Sequence, residues 1–251
     1  MRIEHLYRYP VKGLTAEALE ETEVEEGGGL PWDRAFALAL GDAPFDPEHP
    51  EWLPKTQFLC LMRDARAAAL RASFEPRNGR LLIRAPDGSE VAGNALSSAG
   101  REQIGGFLTS WLGEAARGQA HFHHVPGHVF QDQRQPVVSL VNLRSLADYA
   151  ARIGAARHRM RFRANVYFSG EAWSERSWIG RQIQVGSAVL QVVKPIARCA
   201  ATQVNPASAE RDADPVAELR TLYGHSDLGV HARVVDAGSM AIGDSVEVLP
   251  D

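Results

Sequence analysis

Only two cysteines, Cys60 and Cys199, occur in the 251 residues, and they lie far apart. That scarcity excludes a disulfide-stapled scaffold and makes a reducing compartment the simpler expectation. It also leaves no cysteine motif for an iron–sulfur cluster. A glycine-rich phosphate loop, a Cys-x-x-Cys pair and a Gly-x-Ser-x-Gly elbow are all missing, so the common phosphate-cradling and serine-nucleophile signatures do not apply. Long apolar runs are missing too, and none would cross a bilayer. Met1-Arg2-Ile3-Glu4-His5 has one arginine but no apolar stretch of the kind a secretory signal carries. Positive charge is not in excess: 27 Lys and Arg stand against 31 Asp and Glu, for a formal charge of -4. With a pI near 6.1, a general nucleic-acid binder is not expected. These absences together predict a cytoplasmic protein with neither nucleic acid nor membrane as partner.

What is present is a 45% hydrophobic chain, enough for one large domain or two modest ones. No internal repeat or low-complexity tract is visible. Residues 2–9 alternate as a first strand and are broken by Pro10-Val11-Lys12-Gly13-Leu14; Thr22 and Val24 alternate with glutamates as a half-exposed strand. Gly27-Gly28-Gly29 forms a loop ahead of Asp33-Arg34 and the apolar run 35–40, and 41–54, with four prolines, reads as a surface loop. Residues 79–85 and 90–91 flank an Asp87-Gly88 hairpin turn. Ile104, Phe107, Leu108, Trp111 and Leu112 share one face of a helix over 98–112, ended by Gly113. Residues 113–119 are the natural divide, giving units 1–118 and 119–251. In the second unit Asn142 caps a helix closed by Gly154, 165–168 is a strand, and 182–185 with 188–193 forms a hairpin around Gly186-Ser187. Residues 230–235 and 245–249 supply the last strands. Short strands, glycine turns and few helices predict a mainly β, α+β chain with a barrel or sandwich in its second half.

The chemistry is concentrated in few places. Lys194-Pro195-Ile196-Ala197-Arg198-Cys199 puts a thiol directly after a guanidinium at the end of a strand pattern. Adjacent positive charge favours the thiolate, a soft metal ligand or sulfur carrier. Arg161-Phe162-Arg163-Ala164-Asn165, read as a strand, sets Arg161, Arg163 and Asn165 on one face suited to phosphate or carboxylate, though a solvated strand face has the same pattern. Lys12, in a Pro-Val-Lys-Gly turn, offers a point charge or is an ordinary surface lysine; Arg34 follows Asp33, its natural ion-pair partner. His121, His123, His124 and His128 cluster, but no carboxylate or cysteine at suitable spacing completes a metal site, so they read as surface histidines. Cys60, in Phe58-Leu59-Cys60-Leu61-Met62, reads as a buried structural cysteine.

Taken jointly these segments resemble the MOSC family, named for the C-terminal domain of molybdenum cofactor sulfurase. The resemblance rests on Arg161-Phe162-Arg163-x-Asn165, on Arg198-Cys199 with Thr202, Asn205 and Pro206, and on Tyr223-Gly224-His225 through Gly243-Asp244. The first half, through Tyr9-Pro10-Val11-Lys12-Gly13 and Asp33-Arg34-Ala35-Phe36, is similar to the β-barrel-like domain that precedes MOSC in the branch of amidoxime-reducing components and N-hydroxylaminopurine reductases. The resemblance implies a C-terminal MOSC barrel packed on that domain, and a molybdenum cofactor (molybdopterin) with Cys199 as thiolate ligand and catalytic residue. Lys12, Arg34, Arg161, Arg163, Asn165 and Arg198 would bind the cofactor. The implied reaction is reduction of an N-hydroxylated small molecule with electrons from a separate donor protein of ferredoxin or flavoprotein type. One departure stands out: Ser208-Ala209 precedes Glu210-Arg211-Asp212 where many relatives have Thr-Gly, which implies a differently shaped loop.

Two other readings remain open on the residues alone. Cys199 would carry a persulfide, or the chain would carry cofactor to another enzyme; the family's link to pyridoxal-phosphate-dependent sulfurases adds nothing assignable, since Lys194 has only proximity in its favour. Alternatively, the chain is a β-rich scaffold with a structural cysteine.

Overall fold

Ile3 and Leu6 of the first strand, Arg2–Arg8, are each 1% exposed, and the sheet that buries them organises the molecule. The computed structural model is described for residues 1–250. An eight-stranded sheet runs in the order Val246–Val248, Gln182–Val185, Ala188–Ala197, Asp227–Asp236, Val138–Asn142, Val166–Ser169, Arg2–Arg8 and Glu17–Leu19. All neighbours are antiparallel except Val138–Asn142 with Val166–Ser169. A parallel pair needs a crossover, and helix Leu143–Ile153 provides it. Its start is capped by the Asn142 side chain, which accepts from the Arg144 amide, and its end by Gly154 at φ 65°. Val138, Leu140, Val166, Phe168, Leu190 and Val230 build the apolar interior on one side of this sheet.

The other core belongs to the first half. Strands Arg71–Glu75, Arg80–Arg84 and Glu90–Asn94 form a small sheet, the last two joined by the expected Asp87-Gly88 turn. Helix Ser98–Leu112 buries Ile104, Leu108 and Leu112 against Phe36, Phe74 and Leu81. Gly100 is required there, because a Cβ at this position would lie 2.1 Å from the Asn94 carbonyl oxygen.

Three strand pairs cross residue 118. Arg2–Arg8 pairs with Val166–Ser169, Glu21–Val24 with Gly238–Ala241, and Phe36–Ala39 with His121–His124. The mainly β, α+β class is as expected, with three α-helices among the described residues. Two local expectations need correction. Arg161, Arg163 and Asn165 do not alternate along a strand: Arg159–Phe162 is a 3-10 helix and Arg163 ends it at φ 49°. A helix over Pro215–Tyr223 was not foreseen, although Asp214 caps it, Pro215 occupies its first turn and Gly224 closes it at φ 75°.

Candidate active site

The Ala188–Ala197 strand delivers Cys199 to its place. Pro195 cannot donate to the ladder, and the register with Asp227–Asp236 slips between Val192 and Lys194 and again between Pro195 and Ala197. Such bulges bend a strand and re-aim the residues beyond them. Cys199 then caps the 3-10 helix Ala200–Gln203, with its carbonyl accepting from the Thr202 amide at 3.0 Å and the Thr202 hydroxyl at 2.9 Å.

Cys199 opens onto a cavity of about 280 Å³ between the two halves. Lys12, Arg34, Arg161, Arg163, Asn165 and Arg198 line the same cavity, so the structure brings every sequence-marked site residue together. The cavity wall also includes Lys55, Cys60, Asp132 and His231, which sequence reasoning did not assign to the site. Lys55 reaches Cys199 directly, its Nζ donating to Sγ at 3.3 Å and to Asp132 Oδ2 at 3.2 Å. Asp132 Oδ1 accepts from Lys12 Nζ at 2.5 Å, and Lys12 also donates to the Phe130 carbonyl at 2.8 Å. A chain thus runs from Lys12 through Asp132 and Lys55 to the thiol.

Six cationic side chains and one carboxylate, Asp132, line this cavity. Burial pulls the Lys12 ammonium below its ordinary range, against the pull of Asp132. Burial opposes the charge of Lys55 as well, but Asp132 and Cys199 outweigh it and raise its pKa. Asp132 itself, raised by burial, is brought well below the usual carboxylate range by Lys12 and Lys55. His231 is held neutral: burial, then Arg198, Lys194 and Arg34, bring it down to about 3. Its Nδ1 is buried with no partner.

The arginines divide into two groups. Arg34 donates to both Asp33 oxygens at 2.6 Å and to the Arg163 carbonyl at 3.1 Å. Asp33, 1% exposed, also accepts from the Tyr9 amide and from Gln131. Arg34 and Arg163 both stack on the Tyr9 ring, at 4.2 and 4.4 Å. Their left-handed backbones, φ 52° and 49°, place these two guanidiniums against one ring. Arg198 and Asn165 act as braces. Arg198 donates to the Phe162 carbonyl at 2.8 Å and to Leu228, and burial lowers its pKa to about 10, so it stays charged at neutral pH. The Asn165 side chain accepts from the Ser139 amide and hydroxyl and donates to the Tyr7 carbonyl.

Arg211 clasps the cavity's two edges. One nitrogen donates to the Ala200 carbonyl at 2.8 Å, and another to Leu61 and Met62, each at 2.9 Å. The loop that positions it contains Ala209 at φ 60°. Alanine here holds the left-handed conformation that glycine adopts freely, at a cost of roughly 1–2 kcal/mol.

Lys194 is exposed and does not line the cavity. The histidine cluster does not line the cavity either. His123 and His128 pack on Phe45, and His124 on Trp32 and Phe36. No group of three His, Cys, Asp or Glu side chains able to hold a metal ion occurs among the described residues. No helix among them is long and apolar enough to cross a membrane.

Comparison with known proteins gives two family matches: the MOSC domain over residues 121–247 and the MOSC N-terminal beta barrel domain over residues 1–115. Among solved structures, the chain is similar to the YUAD protein from Bacillus subtilis at 16% identity and a TM-score of 0.48, over 98% of this chain and 94% of that one. It is also similar to YiiM from Geobacillus stearothermophilus at 16% identity and a TM-score of 0.36, over 45% of this chain and 54% of that one. No curated protein matches.

Proposed function

The chain belongs to the MOSC family, whose related members bind a molybdenum cofactor, and from that membership we propose that it binds such a cofactor at Cys199 and reduces N-hydroxylated small molecules. The observation that carries the reading is the single cavity in which a half-buried thiol meets six cationic side chains. This donor set fits the group: a thiolate is a soft metal ligand, and guanidiniums with an ammonium suit a phosphate-bearing pterin. The buried Nε of Arg161, which has no acceptor in the protein, marks donor capacity left over at the wall.

Cys199 would be the metal ligand. Lys12, Arg34 and Arg163 would bind the pterin or its phosphate, with Arg161 beside them. Arg198 and Asn165 would contribute by fixing the walls, since their polar groups are already bonded to backbone and Ser139. Lys55 would hold the negatively charged sulfur in place. When bound, the cofactor supplies a metal that changes oxidation state and takes oxygen from an N–O bond. Electrons would come from a separate donor protein of ferredoxin or flavoprotein type.

One observation favours a second reading. The Lys55 ammonium at 3.3 Å would equally stabilise a persulfide on Cys199, making the chain a sulfur or cofactor carrier. Metal analysis by mass spectrometry separates the two, on protein from a host with an intact molybdopterin pathway. Near-stoichiometric molybdenum in the wild type and none in Cys199→Ala is the expected result. Sulfur on Cys199 with no molybdenum would replace the reductase reading with the carrier.

A further inference from the structure

Behind the turn that carries Arg161 and Arg163 lies a second cavity, of about 540 Å³. Its wall shares Leu61, Arg161, Arg163 and Ala201 with the thiol cavity but includes neither Cys199 nor Lys55. Four guanidiniums line it, those of Arg71, Arg159, Arg161 and Arg163, and no Asp or Glu does. Only Arg161 has a carboxylate partner, Asp212. Arg71 donates to the Ala68 carbonyl at 2.9 Å, Arg159 to the Tyr7 hydroxyl at 3.0 Å and Arg163 to the Leu14 carbonyl at 2.7 Å. The Nε groups of Arg159 and Arg161 are buried with no acceptor, and Arg161 is only 6% exposed. Four guanidiniums with a single carboxylate partner among them are costly to keep at a partly dry surface. They are the more notable in a chain of net charge -4. The rest of the wall is largely apolar, with Leu14, Ala72, Met160, Val204 and Pro206.

We propose that this second cavity is a binding site for a small organic anion, a single carboxylate or phosphate on a flat apolar body. Guanidiniums recognise either head group with paired N–H donors, and the apolar wall takes the body. The site shares Arg161 and Arg163 with the cofactor reading but uses neither the thiol nor the lysines beside it. It is nevertheless wired to them: Arg161 also donates to the Gln203 carbonyl at 2.9 Å, in the helix that Cys199 caps.

The test is calorimetric titration of the full chain with benzoate, phenyl phosphate, inorganic phosphate and the neutral benzyl alcohol. At least one aromatic anion should bind, with benzyl alcohol silent and inorganic phosphate weaker than phenyl phosphate; benzoate against phenyl phosphate tells which head group is preferred. Arg159→Met should weaken binding at least tenfold. Arg71→Gln, at an exposed position, should weaken it severalfold with an unchanged thermal midpoint, which covers the case in which Arg159→Met does not fold. Lys55→Met should leave the affinity as it was. No binding by either aromatic anion, affinity indifferent to Arg71→Gln, or affinity lost in Lys55→Met would overturn the assignment.

Discussion

Cys60 and Cys199 face one cavity and have opposite surroundings. Cys60 is 7% exposed, in the loop after Phe58 and Leu59, and burial pushes its thiol up. Its carbonyl holds a tight turn, accepting from the Arg63 and Asp64 amides at 3.0 and 3.1 Å. Cys199 is half-buried at the head of a short helix, with an ammonium 3.3 Å from its sulfur. Shared location therefore does not give shared chemistry. A thiol serves as a ligand where its sulfur is accessible and a cation stands beside it, and Cys199 is the more open of the two, with Lys55 in direct contact.

The largest effect should separate the two thiols outright. Molybdenum content should survive Cys60→Ala and vanish in Cys199→Ala; equal loss in both would break the contrast. Next, alkylation by iodoacetamide in metal-free protein should be faster at Cys199 than at Cys60. Lys55→Met should slow the Cys199 reaction severalfold, because it removes the ammonium 3.3 Å from the sulfur. Peptide mapping reads both rates in one sample, and an unchanged Cys199 rate would remove Lys55 from the account.

A pH series sharpens the comparison through His231, which is buried among cations in the wall of the same cavity. His231 titrates near 6.5 when unfolded but only at about 3 in the folded chain. Between those values the unfolded state binds the extra proton, so stability falls as pH drops from 6.5 towards 3. The thermal midpoint of His231→Phe should fall less steeply over that window, and parallel curves would show that burial and the neighbouring cations do not hold His231 neutral. The smallest effect belongs to the loop that carries Arg211. Ala209→Gly should raise stability by about 1 kcal/mol by relieving the left-handed alanine, measured by denaturant unfolding; destabilisation would mean that the alanine side chain matters there more than its strain.

The sequence was most readable where apolar periodicity and caps agree. The Ser98–Leu112 and Leu143–Ile153 helices, the hairpins at Asp87-Gly88 and Gly186-Ser187, and the α+β class were all legible on those grounds. The Arg161–Asn165 segment misled because charged residues at every second position imitate strand alternation. The chain turns there instead, through a left-handed Arg163 that no glycine announces. The Pro215–Tyr223 helix had a readable signal in Asp214, Pro215 and Gly224. Lys55, Asp132 and His231 had none, because one starts a short 3-10 helix, one sits in a loop and one on a strand, and only tertiary pairing brings them to the cavity. At the Ser208-Ala209 departure, the alanine holds the left-handed conformation that glycine adopts freely.

The first strand has a consequence for how this chain is made. Arg2–Arg8 emerges from the ribosome long before Val166–Ser169, one of its neighbours in the sheet. At about 5–20 residues per second, it waits on the order of 10–30 s for that neighbour to be synthesised. Closing so long a loop is slow, and an unpaired strand edge invites wrong pairing in the meantime. The nascent first half is thus the stage at which chaperones have most to protect, and truncation before residue 166 leaves that edge of the strand unpaired.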